Sequence, residues 1–146
     1  MKKVLYWIVG IAIVIQFIRP DFKNPKVDNT LTLNTNIEVM SVLKNSCYDC
    51  HSNETKKPWY HNVAPLSWMM SGHIKSGRQA LNFSKWQSID TQIKLKQLKR
   101  AKQLIKNEMM PKGEYLLMHE NAVLDEEKKM ILEEFFDAQI KKLSHT

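Results

Sequence analysis

The amino-acid sequence predicts an all-α fold organised as one domain behind a separate N-terminal segment. The chain has 146 residues, of which 43% are apolar and 25% are charged, so it is large and apolar enough to bury a core. Only 4 glycines and 5 prolines are available for turns. Long stretches are rich in Lys, Leu, Ile, Glu and Gln, most of which are strong helix formers. We therefore expect helices throughout.

Residues 1–20 have the pattern of an export segment. Lys2 and Lys3 precede an apolar run over residues 4–18, which Arg19 closes. A helix of that length would span about 22 Å, less than the roughly 30 Å hydrocarbon core of a bilayer, which favours a cleaved signal peptide. The lack of a small-x-small cleavage triplet favours an uncleaved signal anchor instead.

We expect an N-terminal hydrophobic helix that anchors the chain in the bacterial cytoplasmic membrane through residues 4–18. The positive-inside rule places the two lysines in the cytoplasm and the domain in the periplasm. Residues 21–34 follow Pro20 and contain one further proline and several asparagines without a helical period, so we interpret them as a linker. The domain then occupies residues 35–146.

Four helices are expected in that domain. The first begins after Asn34 or Thr35 as N-cap and leads into the cysteine motif described below, and the second begins at Pro65 and runs towards Leu81. The third spans residues 90–107, and the last begins after Asp125 as N-cap. For the last helix the periodicity predicts a buried face made of Met130, Ile131, Phe135, Phe136, Ala138 and Ile140.

The sequence Cys47-Tyr48-Asp49-Cys50-His51 is a C-x-x-C-H motif, which is typical of covalent attachment of c-type haem. Each thiol adds to one vinyl group of the porphyrin, and the next residue, His51, offers a neutral imidazole nitrogen to the iron. A redox dithiol, a zinc site and a simple disulfide are alternatives. The first lacks a strand-helix-strand context, the second lacks further ligands, and the third leaves His51 unexplained. We expect one covalent haem c per chain.

Two further groups of residues are candidates for the haem pocket. Trp59, Tyr60 and Trp68 follow the motif closely and are expected to supply its aromatic walls. Met110 precedes Pro111, which disfavours helix at that methionine and predicts an extended loop. A methionine on such a loop can provide the sixth ligand of the iron, although methionines more often fill gaps in a core.

The helix at residues 90–107 is strongly basic. It carries Lys94, Lys96, Lys99, Arg100, Lys102 and Lys106, with no acid after its cap, in a chain of formal net charge +7. This surface is either a solvated helix face or a docking patch for an acidic redox partner or for anionic lipid. No compact aromatic-basic motif indicates nucleic-acid binding.

These motifs resemble the haem-binding domain family of small membrane-anchored proteins. The resemblance rests on residues 16–20 and 47–55, on Pro58-Trp59-Tyr60 and Ala64-Pro65-Leu66-Ser67-Trp68, and on Gly77-Arg78 and Met110-Pro111. It implies a cytochrome c-like helical domain around one covalent haem. It also implies thioethers at Cys47 and Cys50, with His51 and Met110 as the iron ligands.

The identity of the sixth ligand distinguishes two functions. With His51 and Met110 both bound, small ligands are excluded and the protein is a monohaem electron carrier, not an enzyme. With an open or labile sixth site, the protein is a haem-based sensor or ligand-binding module. His73, on the second helix, is the main rival to Met110 as sixth ligand.

Overall fold

The computed structural model describes residues 1–21 and 23–145, and within them it contains helices and no strand. This agrees with the all-α prediction. Seven α-helices follow in order: α1 Lys2–Ile15, α2 Ile37–Ser46, α3 Tyr48–His51, α4 Leu66–Ala80, α5 Thr91–Lys106, α6 Gly113–Leu116 and α7 Glu126–Ser144. Short 3-10 turns occur at Trp59–Asn62, Phe83–Ser88 and Glu120–Ala122.

Polar side chains cap the helices that the sequence shows most clearly. The Asp90 carboxylate accepts a hydrogen bond from the Gln92 amide at 2.8 Å at the start of α5, and that of Asp125 accepts from the Lys128 amide at 2.9 Å at the start of α7. Each satisfies a backbone N–H that has no partner within the helix. The cap of α2 is Asn36, slightly later in the chain than predicted.

The main core lies where α2, α5 and α7 pack together. Leu43, Leu98 and Leu132, one from each of these helices, are fully buried, and Phe136 joins them. The predicted buried face of α7 was partly wrong, because Met130 is 57% exposed whereas Leu132 is 0% exposed. The contact with α5 selects which of the apolar stripes on α7 is buried.

The prediction of a membrane-spanning N-terminal helix was wrong, and so was the location that depended on it. Helix α1 has 14 residues and a length of about 21 Å, short of the roughly 30 Å of a hydrocarbon core. In the described part of the chain, no helix combines the length and the apolar character needed to cross a membrane. The helix ends at Ile15, and the side chain of the next residue, Gln16, forms hydrogen bonds with the backbone of Ala64.

The segment after α1 is tied to the rest of the chain. The Gln16 side chain donates to the Ala64 carbonyl at 3.2 Å and accepts from the Ala64 amide at 3.0 Å. The Trp68 indole donates to the Ile18 carbonyl at 2.7 Å. Within residues 21–34, the Leu33 amide donates to the Phe83 carbonyl at 2.8 Å.

Candidate functional site

The C-x-x-C-H motif begins at the bend between α2 and α3. Cys47 ends α2 in a non-helical conformation, and the amide of His51 donates to its carbonyl at 2.9 Å, which closes the single turn of α3. Both Cys47 and Cys50 are free thiols, so the disulfide alternative is not what the structure shows. Burial raises the pKa of Cys47 to about 12 and, as the largest effect, that of Cys50 to about 11. The folded chain thus presents two protonated thiols.

The His51 ring is held by one of its nitrogens. Its Nδ1 atom lies 3.0 Å from the Leu81 carbonyl oxygen, to which it can only donate. This bond fixes the tautomer and leaves Nε2 with a free lone pair, as a metal-ligating histidine requires. Burial lowers the pKa of His51, so the imidazole is neutral near neutral pH.

Helix α4 crosses the motif at a glycine. A Cβ placed on Gly77 would lie 2.5 Å from the carbonyl oxygen of Cys50 and 3.0 Å from its Cβ. No larger residue fits this approach without movement of the backbone. Gly77 therefore sets how closely α4 packs against α3.

Arg78, the next residue, forms hydrogen bonds with the loop that follows the motif. Its guanidinium donates to the Ser52 carbonyl at 2.7 Å, to the Thr55 hydroxyl at 3.0 Å and to the Asn24 side-chain oxygen at 2.7 Å. The Thr55 hydroxyl in turn donates to the Asp49 carbonyl at 2.7 Å. These bonds connect α4, the segment before α2 and the motif, and they fix the loop after His51.

A cavity of about 380 Å³ opens beside the motif. Cys47, Cys50 and His51 form part of its lining, and Met110 contributes to the lining from another part of the chain. The lining also includes Gly77, Ala80 and Leu81 from or next to α4, Ala101, Leu104 and Ile105 from α5, Phe83, Tyr115, Leu124 and Phe136. The space is mainly apolar, with one histidine of the motif and one methionine in its lining.

The end of α5 delivers Met110 to this cavity. The Glu108 amide donates to the Ile105 carbonyl at 3.0 Å, and the Met109 amide donates to the Leu104 carbonyl at 2.8 Å. This is a Schellman ending, with Glu108 in the left-handed conformation at φ 55°. The chain turns there, so Met110 lies on a non-helical segment, as the sequence predicts.

His73 also lines the cavity. Its Nε2 atom lies 3.5 Å from a carboxylate oxygen of Glu114, and that contact occupies the nitrogen which a ligand would use. Met110 makes no hydrogen bond or ion pair within the described residues. Of the two candidates for the sixth ligand, Met110 is therefore the one whose side chain has no competing polar contact among the described residues.

The three aromatic residues predicted as walls lie outside the lining of this cavity. Trp59 is 76% exposed, Trp68 is 36% exposed, and Tyr60 is buried in a second cluster with Met70 and Ile74. The aromatic residues that do line the cavity are Phe83, Tyr115 and Phe136. The sequence predicts Phe136 on the buried face of the last helix, but no local pattern assigned any of these three residues to the cavity.

Tyr115 connects the methionine side of the cavity to the motif. Its hydroxyl donates to the Asp49 carboxylate at 2.8 Å, and the other oxygen of that carboxylate accepts from the Lys56 amide at 2.9 Å. The Tyr115 ring stacks on His119, with 3.9 Å between ring centroids. Burial, together with the neighbouring Asp49 carboxylate, raises the pKa of Tyr115, so its hydroxyl remains a donor.

The lining suits a large apolar ring with polar groups at its edge. Buried polar atoms are almost always hydrogen-bonded, yet Ser46 Oγ and Gln97 Oε1 are buried without a partner in the part of the chain that the structure describes. Both residues line the cavity. A haem fits this lining: His51 and Met110 can bind its iron, the two thiols share the lining with His51, and the carbon-rich walls match a porphyrin face.

An all-helical domain with a C-x-x-C-H motif on the wall of an apolar cavity defines a class of haem-binding proteins. The sequence model of the haem-binding domain family matches residues 10–138, so this chain belongs to that family and binds haem. The comparison with curated proteins finds no match, and neither does the comparison with solved structures.

Proposed function

We propose that this protein is a monohaem c-type cytochrome that carries electrons, with His51 and Met110 as the two iron ligands. One observation carries the proposal: a single cavity brings together Cys47, Cys50, His51 and Met110, although the methionine is far from the other three in the chain. Thioether bonds at the two cysteines hold one haem per chain.

The chain's own residues account for attachment without another reactant. Each thiol adds across one vinyl double bond, with the sulfur on one carbon and the thiol hydrogen on the other, so no oxidant is consumed. Both thiols are free to do so. The single turn of α3, closed by the bond from the His51 amide to the Cys47 carbonyl, holds Cys47, Cys50 and His51 in one orientation relative to the cavity.

The ligand set favours electron transfer over catalysis. Haem supplies a one-electron Fe(II)/Fe(III) couple, and a thioether ligand raises its potential. A haem iron bound by both His51 and Met110 would have no coordination position left for a substrate. The rigid network around Arg78 and Asp49 limits rearrangement of the motif. We therefore infer that the protein is a carrier and not an enzyme.

The basic face of α5 is the proposed docking surface for an acidic redox partner. Two of the lysines of α5 are engaged within the chain and are therefore not available to a partner. Lys94 is buried over the Trp86 ring at 5.4 Å, and Lys102 pairs with Asp137 at 2.6 Å. Lys96, Lys99 and Lys106 remain exposed. Lys96 borders the helix face that lines the cavity, whereas Lys99 and Lys106 lie on the opposite side of α5. A partner bound to these lysines would be separated from the haem by about the width of one helix.

A second candidate function is a haem-based sensor with a labile sixth site. The observation in its favour is that His73 lines the same cavity as Met110. Two residues that compete for one coordination position would allow an external ligand such as carbon monoxide to displace either.

The test is an optical comparison of wild type, Met110→Ala, His73→Ala and the neighbouring control Met109→Ala, all produced with haem-attachment machinery. Met109 is 59% exposed and is absent from the cavity lining. We expect the weak long-wavelength band of an iron–methionine bond in every protein except Met110→Ala, which should instead bind carbon monoxide. A denaturing gel stained for haem tests covalent attachment, which Cys47→Ser with Cys50→Ser should abolish.

Two results would overturn the electron-carrier proposal. Ready binding of carbon monoxide by wild type would show an open site and favour sensing. Absence of the long-wavelength band in wild type, together with carbon monoxide binding by His73→Ala but not by Met110→Ala, would show that Met110 is not the ligand.

A further inference from the structure

One face of α5 changes from polar to apolar along the cavity. Gln97, Arg100, Ala101, Leu104 and Ile105 all line the cavity, and their spacing of three or four residues places them on one side of the helix. The polar pair is separated from Leu104 and Ile105 by about 9 Å along the helix axis. A ligand in this cavity therefore meets polar groups at one end of α5 and hydrocarbon at the other.

Most polar side chains that line the cavity are already engaged. Asp49 and Tyr115 bind each other, His73 contacts Glu114, and Ser76 donates to the Gly72 carbonyl at 2.6 Å. No hydrogen bond or ion pair is made by the side chains of four other lining residues, counting partners within residues 1–21 and 23–145. These four are Ser46, Gln97, Arg100 and Lys112.

Two of the four lie at the cysteine edge of the cavity. Ser46 directly precedes Cys47. The Lys112 ammonium is near Cys50, where it offsets part of the rise in pKa that burial and Asp49 impose on that thiol. Gln97 and Arg100 are one turn apart on α5, a different element from the motif, and Arg100 is exposed at the rim of the cavity.

We propose that Gln97 and Arg100 form a carboxylate-binding subsite that receives the haem propionates. A haem carries its two vinyl groups on one half of the ring and its two propionates on the other. Thioethers at Cys47 and Cys50 would fix the vinyl half at the motif, which directs the propionates away from Ser46 and Lys112. Of the four lining residues without a side-chain hydrogen bond or ion pair, Gln97 and Arg100 on α5 are then the two that can bind the propionates.

The chemistry of the two side chains suits this role. Arg100 provides a planar, permanently charged fork of N–H donors that matches a carboxylate. The Gln97 amide can present either its oxygen or its NH₂ group to the cavity, since a half-turn of the amide exchanges them. After that half-turn the NH₂ group would donate to a propionate from the position of the buried Oε1 atom, which has no partner among the described residues. This subsite, which rests on the proposed haem attachment, fixes the orientation of the ring.

The experiment measures the midpoint potential of the haem-loaded protein from pH 5 to 9 in wild type, Arg100→Gln, Arg100→Lys and Gln97→Leu. Lys99→Gln is the matched control, because it removes one positive charge from the same helix at an exposed residue outside the cavity lining. A nearby positive charge lowers a carboxyl pKa by about 1 to 3 units. We expect Arg100→Gln to move the redox-linked propionate ionisation upward by about one pH unit. Arg100→Lys should move it less, and Lys99→Gln should not move it.

Several outcomes would overturn the subsite. It is wrong if the profile of Arg100→Gln coincides with that of wild type, or if Lys99→Gln shifts the profile equally. If Arg100→Gln shifts the profile and Gln97→Leu does not, the assignment of Gln97 is wrong and that of Arg100 stands. Covalent haem content and the iron–methionine band, recorded on the same samples, report failure of the proposed function separately.

Discussion

Replacing Gly77 with alanine tests whether close packing of α4 on the motif is essential. The new Cβ would lie 2.5 Å from the Cys50 carbonyl oxygen and 3.0 Å from the Cys50 Cβ, whereas favourable contacts between such atoms are about 3.5 Å or longer. The obstacle is backbone, which cannot rotate away as a side-chain end could. Overpacking of this kind costs up to about 3 kcal/mol. The higher helix propensity of alanine returns about 1 kcal/mol, so we expect a net loss of about 2 kcal/mol.

Gly72 provides the matched control in the same helix. A Cβ at Gly72 meets no atom within 4 Å, so Gly72→Ala should stabilise the protein by up to about 1 kcal/mol. The assay is guanidinium chloride unfolding of the haem-loaded protein, with thermal unfolding as a second measurement. For a chain of this size the loss at Gly77 corresponds to a decrease in Tm of about 4 to 8 °C. Equal stability of Gly77→Ala and Gly72→Ala would refute the tight contact between α4 and Cys50.

Further predictions concern the Tyr115 bridge, the α7 core and the buried tyrosine of the motif. Tyr115→Phe removes the donor to the Asp49 carboxylate, so we expect a loss of about 1 kcal/mol in urea unfolding and faster carbon monoxide binding. If neither the free energy of unfolding nor the rate of carbon monoxide binding changes, the bond between Tyr115 and Asp49 does not hold the segment that carries Met110 in place. Leu132→Ala should cost about 3 kcal/mol because Leu132 is fully buried, whereas Met130→Ala should cost less than about 0.5 kcal/mol. Similar losses of stability for the two variants would show that α7 buries a different face against the core. Burial raises the pKa of Tyr48 to about 12, above the value of about 10 in an unfolded chain. Its stabilising contribution is therefore complete below pH 10 and is lost as the pH rises towards 12. Circular dichroism during an alkaline titration should show a different unfolding midpoint in a Tyr48→Phe variant, and an unchanged midpoint would contradict this account.

The features that were predictable from the sequence depend on neighbouring residues. The ends of α5 and α7 follow from Asp90 and Asp125, because a capping side chain binds amides two or three residues further along. The C-x-x-C-H motif is also local, and so is the end of the helix before Pro111. Each needs only a few consecutive residues.

Features decided by contacts between distant residues were predicted less well. Helix α7 carries more than one apolar stripe, and only its packing on α5 decides that Leu132 rather than Met130 enters the core. Likewise, proximity in sequence suggested that Trp59 and Trp68 flank the motif. The cavity lining instead draws on Phe136, which reaches the motif only through the packing of α7.

The N-terminal prediction failed for a different physical reason. Hydropathy measures the composition of a run and not the length of the helix that forms. Even the whole apolar run, residues 4–18, would form a helix of only about 22 Å, and α1 ends earlier still, at Ile15. The Gln16 side chain is bound to the backbone of Ala64, at a distance in the chain that no local pattern encodes.

The contacts of Gln16 and Ile18 limit how far the chain can be shortened for crystallisation or spectroscopy. Cutting before residue 16 removes only α1, whereas cutting after residue 18 also deprives the Ala64 backbone and the Trp68 indole of their partners. Those two residues frame the start of α4, the helix that carries Gly77 and Arg78 to the motif. A truncation boundary chosen by hydropathy would therefore disturb the supports of the haem site, while one placed just before Gln16 would keep them.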